Sequence, residues 1–317
     1  MAKTKFLFST DFHGSETVWR KFLNAAKYFD LDALVLSGDM TGKLLIPIVE
    51  RTDGKYDASL YGDPYVLTEE ELPEFEQKCR MITYIPYRTT ADEVERIAED
   101  EQYREDLFER MECETIKFWL TLIPDRVPPD CKVIISPGND DKHSIDDVIR
   151  ADPNPQVIFG EEDVVQLDEG HEILCFGWSN PTPFDSPREC SEEELEERLE
   201  RTVAKVKNIE TAVFCIHVPP YNTFIDQAPV LEDDLSLSVR GGHTRMEPVG
   251  STAVRKIIEK YQPLLALHGH IHESPGRVKL GRTECLNPGS EYSEGILKGF
   301  LVEIEGSKLT QLRRIDA

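Results

Sequence analysis

No two of the seven cysteines stand at CxxC spacing, and their total is odd. Cys79, Cys113, Cys131, Cys175, Cys190, Cys215 and Cys285 are scattered along the chain. That argues against a zinc–thiolate cluster and against a disulfide framework, and it suits reduced thiols in a cytoplasmic protein. Long apolar runs are missing too, so nothing reads as a membrane span. The opening residues turn polar too quickly for a signal peptide and read as a first strand instead. Basic residues are scarce: 36 Lys and Arg against 60 Asp and Glu give 36 − 60 = −24. Such a surface repels the phosphate backbone of long nucleic acids. No repeat, low-complexity tract or linker divides the 317 residues, which can bury a sizeable core. The expectation is one domain spanning 1–317, with an insertion at about 43–130.

Against these absences stands a concentration of histidine. Three of the eight histidines fall within Leu267-His268-Gly269-His270-Ile271-His272. They follow the apolar run 263–267, which reads as a short buried strand. Ligands in open α/β sheets bind where strands run out. His270 and His272 are two apart, so in extended geometry they share a side.

The same design recurs at four other strand ends. The apolar run 3–9 leads into Asp11-Phe12-His13. A helical pattern follows to residue 29, with Ser15 as a cap, and then the run 33–37 ends in Gly38-Asp39. Strand, helix, strand in so short a span is a βαβ unit, so both strands are parallel and their ends share an edge. The run 131–136 ends in Gly138-Asn139-Asp140-Asp141. The run 211–216 ends in His217, with Pro219 and Pro220 stopping it. Any one of these turns is common without function. Taken together they place Asp11, His13, Asp39, Asn139, His217, His270 and His272 at one edge.

Between the second and third of these strands the rhythm breaks. Residues 46–49 and 61–67, around Thr52-Asp53-Gly54-Lys55, suggest a hairpin. Acidic amphipathic segments near 69–82 and 90–122 suggest helices over or beside the core, and such an excursion shapes the entrance of a site. Further on, 156–167 and 172–176 read as paired strands, Ser191 opens a helix, and 222–249 reads as an irregular loop near the site. Ser251 caps a helix over 252–261. Antiparallel strands follow at 277–280, 284–287, 296–304 and 309–314.

Seven nitrogen and oxygen donors exceed what one ion needs and suit two ions sharing a carboxylate. A pair of divalent ions about 3.5–4 Å apart clamps a phosphoryl group for in-line displacement. Carboxylate, imidazole and amide donors without thiolate point to manganese, iron or zinc, manganese being favoured.

Asp11-x-His13, Gly38-Asp39, Gly138-Asn139-x-Asp141, His217 and Gly269-His270-x-His272, in that order, resemble the calcineurin-like metallophosphoesterases. The match covers positions 11 to 272. Asn287-Pro288-Gly289-Ser290 and Gly250-Ser251 also look like the small bacterial and archaeal members. The resemblance implies a four-layer αββα sandwich of two mixed sheets flanked by helices. It implies that Asp11, His13 and His272 hold one metal, that Asn139, His217 and His270 hold the other, and that Asp39 bridges them. Asp39, Asn139 and His217 would form the catalytic group, with Asn139 orienting the phosphate for attack by a metal-bridging hydroxide. His268 falls outside this pattern, behind the ligands or at the surface.

One position departs from it. Many members carry a histidine after the motif asparagine; here Asp140 stands there. A carboxylate beside two cations stays ionised and is a poor general acid. Some members without that histidine act on phosphodiesters, so the resemblance leans towards a small phosphodiester or nucleotide substrate. A phosphomonoesterase, a nuclease or a weakly active protein-interaction scaffold are the alternatives. His143 is a candidate replacement acid, with a plain loop role preferred.

Overall fold

A computed structural model describes residues 3–42, 44–232, 234 and 236–317. Two six-stranded sheets form the body. The first runs in the order Lys308–Asp316, Lys298–Glu305, Lys3–Ser9, Ala33–Ser37, Lys132–Ser136, Val157–Phe159. The second runs Gly276–Leu280, Thr283–Asn287, Leu265–Leu267, Val213–Ile216, Glu172–Phe176, Asp163–Gln166. Both are mixed. Lys3–Ser9, Ala33–Ser37 and Lys132–Ser136 are parallel neighbours in the first, as are Thr283–Asn287, Leu265–Leu267, Val213–Ile216 and Glu172–Phe176 in the second.

Strand alternation explains the layering. Phe6, Phe8, Val35 and Ile134 face Ile173, Cys175, Val213, Cys215, Leu265 and Leu267 between the sheets. Their chain neighbours Leu7, Leu34, Leu36, Val133 and Ile135 point the other way, onto Trp19, Phe22 and Leu23 of the helix Glu16–Phe29. Leu174, Phe176, Phe214 and Ile216 likewise pack on the helices Glu192–Val203 and Thr252–Tyr261 through Leu195, Leu199, Val254 and Ile257. The result is the αββα sandwich. Burying each such side chain contributes about 1.5–3 kcal/mol. Among the described residues no helix is long and apolar enough to cross a membrane.

The excursion after Asp39 is more strand-rich than its sequence suggests. It forms a four-stranded sheet in the order Asp63–Leu67, Tyr56–Leu60, Leu44–Glu50, Tyr84–Thr89. A hairpin does turn at 51–55, but its second strand is Tyr56–Leu60, and a further turn at Tyr61-Gly62 adds a third strand. Tyr84–Thr89, parallel to Leu44–Glu50, escaped detection because Pro86 interrupts a short run between two helical patterns. Lys43, the first residue of the expected insertion, lies outside the described residues. Ile46, Ile48, Leu60, Leu72 and Phe75 give this sheet its own apolar cluster. The helix Glu101–Thr121 ties the excursion to the body: Trp119 stacks on Trp19 with centroids 5.2 Å apart and planes at 9°, and the Trp19 indole donates to the Trp119 carbonyl at 3.0 Å.

Two other expectations change. Of the 156–167 stretch only Asp163–Gln166 pairs with Glu172–Phe176; Val157–Phe159 joins the first sheet, beside Lys132–Ser136. The chain crosses between sheets at Gly160, where an added Cβ would press on Cys175 Sγ at 2.8 Å. Short apolar runs do not say which sheet they join. The 222–249 stretch is partly ordered: Gln227–Pro229 pairs with Met246–Pro248, and Val239–Arg240 with His243–Thr244. Asp233 and Leu235 of that stretch lie outside the described residues.

Candidate metal centre

The strands that carry the motifs all end at one edge of the sandwich, so the donors converge there. Four of them sit in left-handed backbone: Asp11 (φ 56°), His13 (φ 41°), Asp39 (φ 44°) and His270 (φ 66°). Each such residue costs about 1–2 kcal/mol and persists only where the surroundings impose it. Here a backbone lattice does so. Asp11 N donates to Gly38 O (3.1 Å), His13 N to Asp39 O (2.8 Å), Gly38 N to Ser136 O (2.8 Å) and Gly269 N to His217 O (2.8 Å). Two glycines make room. A Cβ on Gly138 would strike the amide and carboxylate of Asp39, and one on Gly269 would strike Thr10 Oγ1 and the Asp11 carboxylate.

The donors fall into two groups. In the first, His13 Nε2 lies 3.2 Å from His272 Nε2, and His272 Nε2 lies 3.4 Å from Asp11 Oδ1. In the second, Asn139 Oδ1 lies 3.1 Å from His217 Nε2 and 2.8 Å from His270 Nδ1. Asp39 stands between, with Oδ2 3.7 Å from His13 Nε2 and Oδ1 3.5 Å from His217 Nε2. All seven expected site residues are therefore together. Donor atoms 3.2–3.7 Å apart suit neighbouring ligands of one ion at about 2.0–2.2 Å. The chemistry is that of hard and borderline divalent ions. These residues fit two such ions.

Charge in this buried cluster is unevenly placed. Burial pushes the Asp11 carboxyl up, but His272, His217 and His13 outweigh it and hold the group well below the carboxylate range. Burial raises Asp39 to about 6 despite His217, with Asp140 adding to the rise. His217 is pulled down by burial and lifted past it to about 9 by Asp39 and Asp11, while burial and His217 push His270 down to about 3. Cations bind the deprotonated forms, so loading the site releases protons.

Residues outside the seven donors hold them in place. Asp141 is visible in the sequence as part of the asparagine motif and His268 as the outlier of the His-rich turn, whereas Asp226 carries no sequence signal. The fully buried Asp141 carboxylate accepts from Gly138 N (2.9 Å), Met40 N (3.0 Å), Thr41 N (3.1 Å) and Thr41 Oγ1 (3.1 Å), clamping the Asp39 turn to the Asn139 turn. Asp226 accepts from Asn222 N (2.7 Å), Thr223 N (2.9 Å) and Gly250 N (3.3 Å), which shapes the loop after His217. Buried His268 donates through Nδ1 to the carbonyls of Ile216 (2.8 Å) and Val218 (3.1 Å) on either side of His217, and burial keeps it neutral, with its pKa lowered to about 4. The Asn287-Pro288-Gly289-Ser290 turn, visible in the sequence as punctuation, serves the centre directly. Asn287 Nδ2 donates to Ile271 O (2.8 Å), between His270 and His272, and Ser290 Oγ donates to Asp11 O (2.6 Å). His143 lies exposed just before the helix Ser144–Arg150, its ring 5.8 Å from that of Trp178, and it is not in the donor groups.

Glu161 adds a pH dependence beside the centre. Its Oε2 accepts from Gly177 N (2.8 Å) and Ser136 Oγ (3.3 Å), while Oε1 is buried without a hydrogen-bond partner. Burial raises its pKa from 4.5 to about 8. Between those values the folded chain keeps a proton that the unfolded chain has lost, so stability falls as pH rises through that window. In urea unfolding, Glu161→Gln is expected to flatten this slope and to be the more stable form above pH 8. A parallel slope in both proteins would refute it.

No family model matches the chain. An uncharacterized protein of Methanocaldococcus jannaschii, MJ1162, is 34% identical over 159 residues, which are 50% of this chain and 63% of that relative. The chain therefore spans less than two thirds of the curated relative it matches. Among solved structures, one crystal structure overlays with a TM-score of 0.58 at 19% identity, covering 99% of both chains. TT1561 of Thermus thermophilus overlays at 0.55 and 13% identity, again over 99% of both. At these identities the likeness is one of fold.

Proposed function

We propose that this αββα sandwich is of the calcineurin-like metallophosphoesterase type and that the chain is a binuclear metal-dependent phosphoesterase acting on a small phosphodiester. One observation carries the reading: Asp11, His13 and His272 form one donor group, Asn139, His217 and His270 another, and Asp39 faces both with different oxygens. When bound, two divalent ions supply Lewis acidity and acidify bound water. The carboxylate, amide and imidazole donors suit manganese, iron or zinc, of which we favour manganese.

The protein's own groups do the rest. Asp39 holds the two halves in register. Asn139 and His217, hydrogen-bonded to each other, fix the face on which a phosphoryl oxygen is oriented. Asp140 takes the place of a proton donor: its Oδ1 accepts from Ser186 Oγ (2.7 Å) and Asn139 Nδ2 (3.3 Å). An ionised carboxylate there has no proton to give, so the leaving group must depart on its own stability or through solvent. Its charge also repels a phosphomonoester dianion more than a diester monoanion. Both effects support diester cleavage. The net charge of −24 supports a small substrate over a long nucleic acid, and seven unpaired cysteines suit the cytoplasm.

The test compares turnover of a chromogenic phosphodiester and its monoester counterpart after reconstitution with Mn(II). Faster diester turnover is expected. Cleavage of the monoester alone would overturn the substrate assignment, and inertness toward both would favour the scaffold alternative.

A further inference from the structure

Asp140 does more than lack a proton. One of its carboxylate oxygens lies within 4.8 Å of donor atoms on both His13 and Asp39, a third donor group overlapping the two already described. It is held in that attitude by a loop remote in sequence. Asp140 N donates to Asp39 Oδ1 at 3.0 Å, which ties the residue to the bridging carboxylate. Ser186 Oγ, from the 177–190 loop, donates to Asp140 Oδ1 at 2.7 Å. Arg188 of the same loop is 1% exposed and binds the carbonyls of the residues on either side of Asp140. Its N donates to Asn139 O (3.1 Å), its Nε to Asp141 O (2.9 Å), and its Nη2 to Lys142 O (3.2 Å) and Asp146 Oδ1 (2.6 Å).

A surface aspartate needs no such clamp. Burying an arginine is costly unless it is fully paired, and here the pairing serves to immobilise the Asp140 loop. The clamp also holds the Asp140 carboxylate close to that of Asp39, where like charges repel unless a cation lies between them. We infer that Asp140 is a further metal ligand, completing with His13 and Asp39 a donor group on the metal centre, in a role no other residue of the site fills. This rests on the binuclear reading above.

Its consequence is a change of charge. Asp11 and Asp39 leave two divalent ions at 4 − 2 = +2; with Asp140 the centre stands at 4 − 3 = +1. A less positive centre gives up part of its advantage for doubly charged monoesters. A third carboxylate also shifts preference from zinc towards the oxygen-seeking manganese.

Mn(II) binding by equilibrium dialysis, with electron paramagnetic resonance of the spin-coupled pair, tests the inference without substrate. The wild-type chain is expected to bind two ions. Asp140→Ala is expected to weaken one of them by about tenfold or more, the scale seen when groups supporting a metal site are removed, and to lose the coupled signal. Asp140→Asn, which keeps size and the Ser186 hydrogen bond, is expected to fall between. Ser186→Ala, which leaves the carboxylate but loosens it, is expected to weaken the same ion to a smaller degree. Thermal unfolding of the metal-free variants at wild-type midpoints separates ligand loss from misfolding. Two ions bound with unchanged affinity in both Asp140 variants would overturn the inference and leave the binuclear reading standing. No ion bound by the wild-type chain would overturn both.

Discussion

Asp39→Asn is expected to strip both ions at once and to lower turnover by a factor on the order of 10³ or more, since each Lewis-acid contact is worth several kcal/mol. The reason is geometric. Asp39 Oδ2 faces His13 at 3.7 Å and Oδ1 faces His217 at 3.5 Å, so its two oxygens address opposite halves of the centre. Asparagine replaces one of them with an amino group that donates and cannot ligate. The substitution is nearly isosteric, and Asp39 already sits in left-handed backbone, which asparagine tolerates better than most residues. The fold should therefore survive and the metals should not. His217→Ala is the contrast. His217 belongs with Asn139 and His270, so one ion should leave and the other stay. Elemental analysis of both variants reads the difference. Full metal content in Asp39→Asn would end the bridging assignment.

Asp141→Ala is expected to cost at least about 3 kcal/mol of stability, at about 1–3 kcal/mol for each buried donor left without an acceptor. Three backbone amides and a hydroxyl converge on this carboxylate, and no part of the residue is exposed. The damage should spread to the centre. With the clamp gone, the Gly38-Asp39-Met40 turn loses its tie to the Asn139 turn, and the strain at Asp39 has less to oppose it. Denaturant midpoints should fall, and Mn(II) affinity with them. A midpoint unchanged from the wild type would show that the turns hold without this clamp.

Much of the site is legible in the sequence because its logic is local. An apolar run followed at once by Asp-x-His or His-x-His states both where a strand ends and which side chains leave it together. Parallel strands then bring those ends to one edge without further information. What is not legible depends on partners distant in sequence. Ser186 reaches Asp140 across 46 positions and Arg188 reaches the Asp141 carbonyl across 47. In the sequence both sit in a loop of mixed polar residues with no periodicity to interpret. His268 illustrates a different limit. Its place in the His-rich turn is obvious, yet only the structure shows that it faces back into the core, donating to carbonyls beside His217. The strands Val157–Phe159 and Asp163–Gln166 are adjacent in sequence but join different sheets, a choice made by packing around Gly160 and Cys175. The excursion hid a strand at Tyr84–Thr89 because a proline masks pairing that edge position permits.

The central claim is that this edge of the sandwich holds two metal ions. Equilibrium dialysis of the wild-type chain against Mn(II), followed by elemental analysis, tests it most directly. The expected result is about two ions per chain, as a clamp of this kind requires, with affinity rising with pH as ligand protons are shed. A chain that emerges without bound metal, folded and at full concentration, would contradict the account.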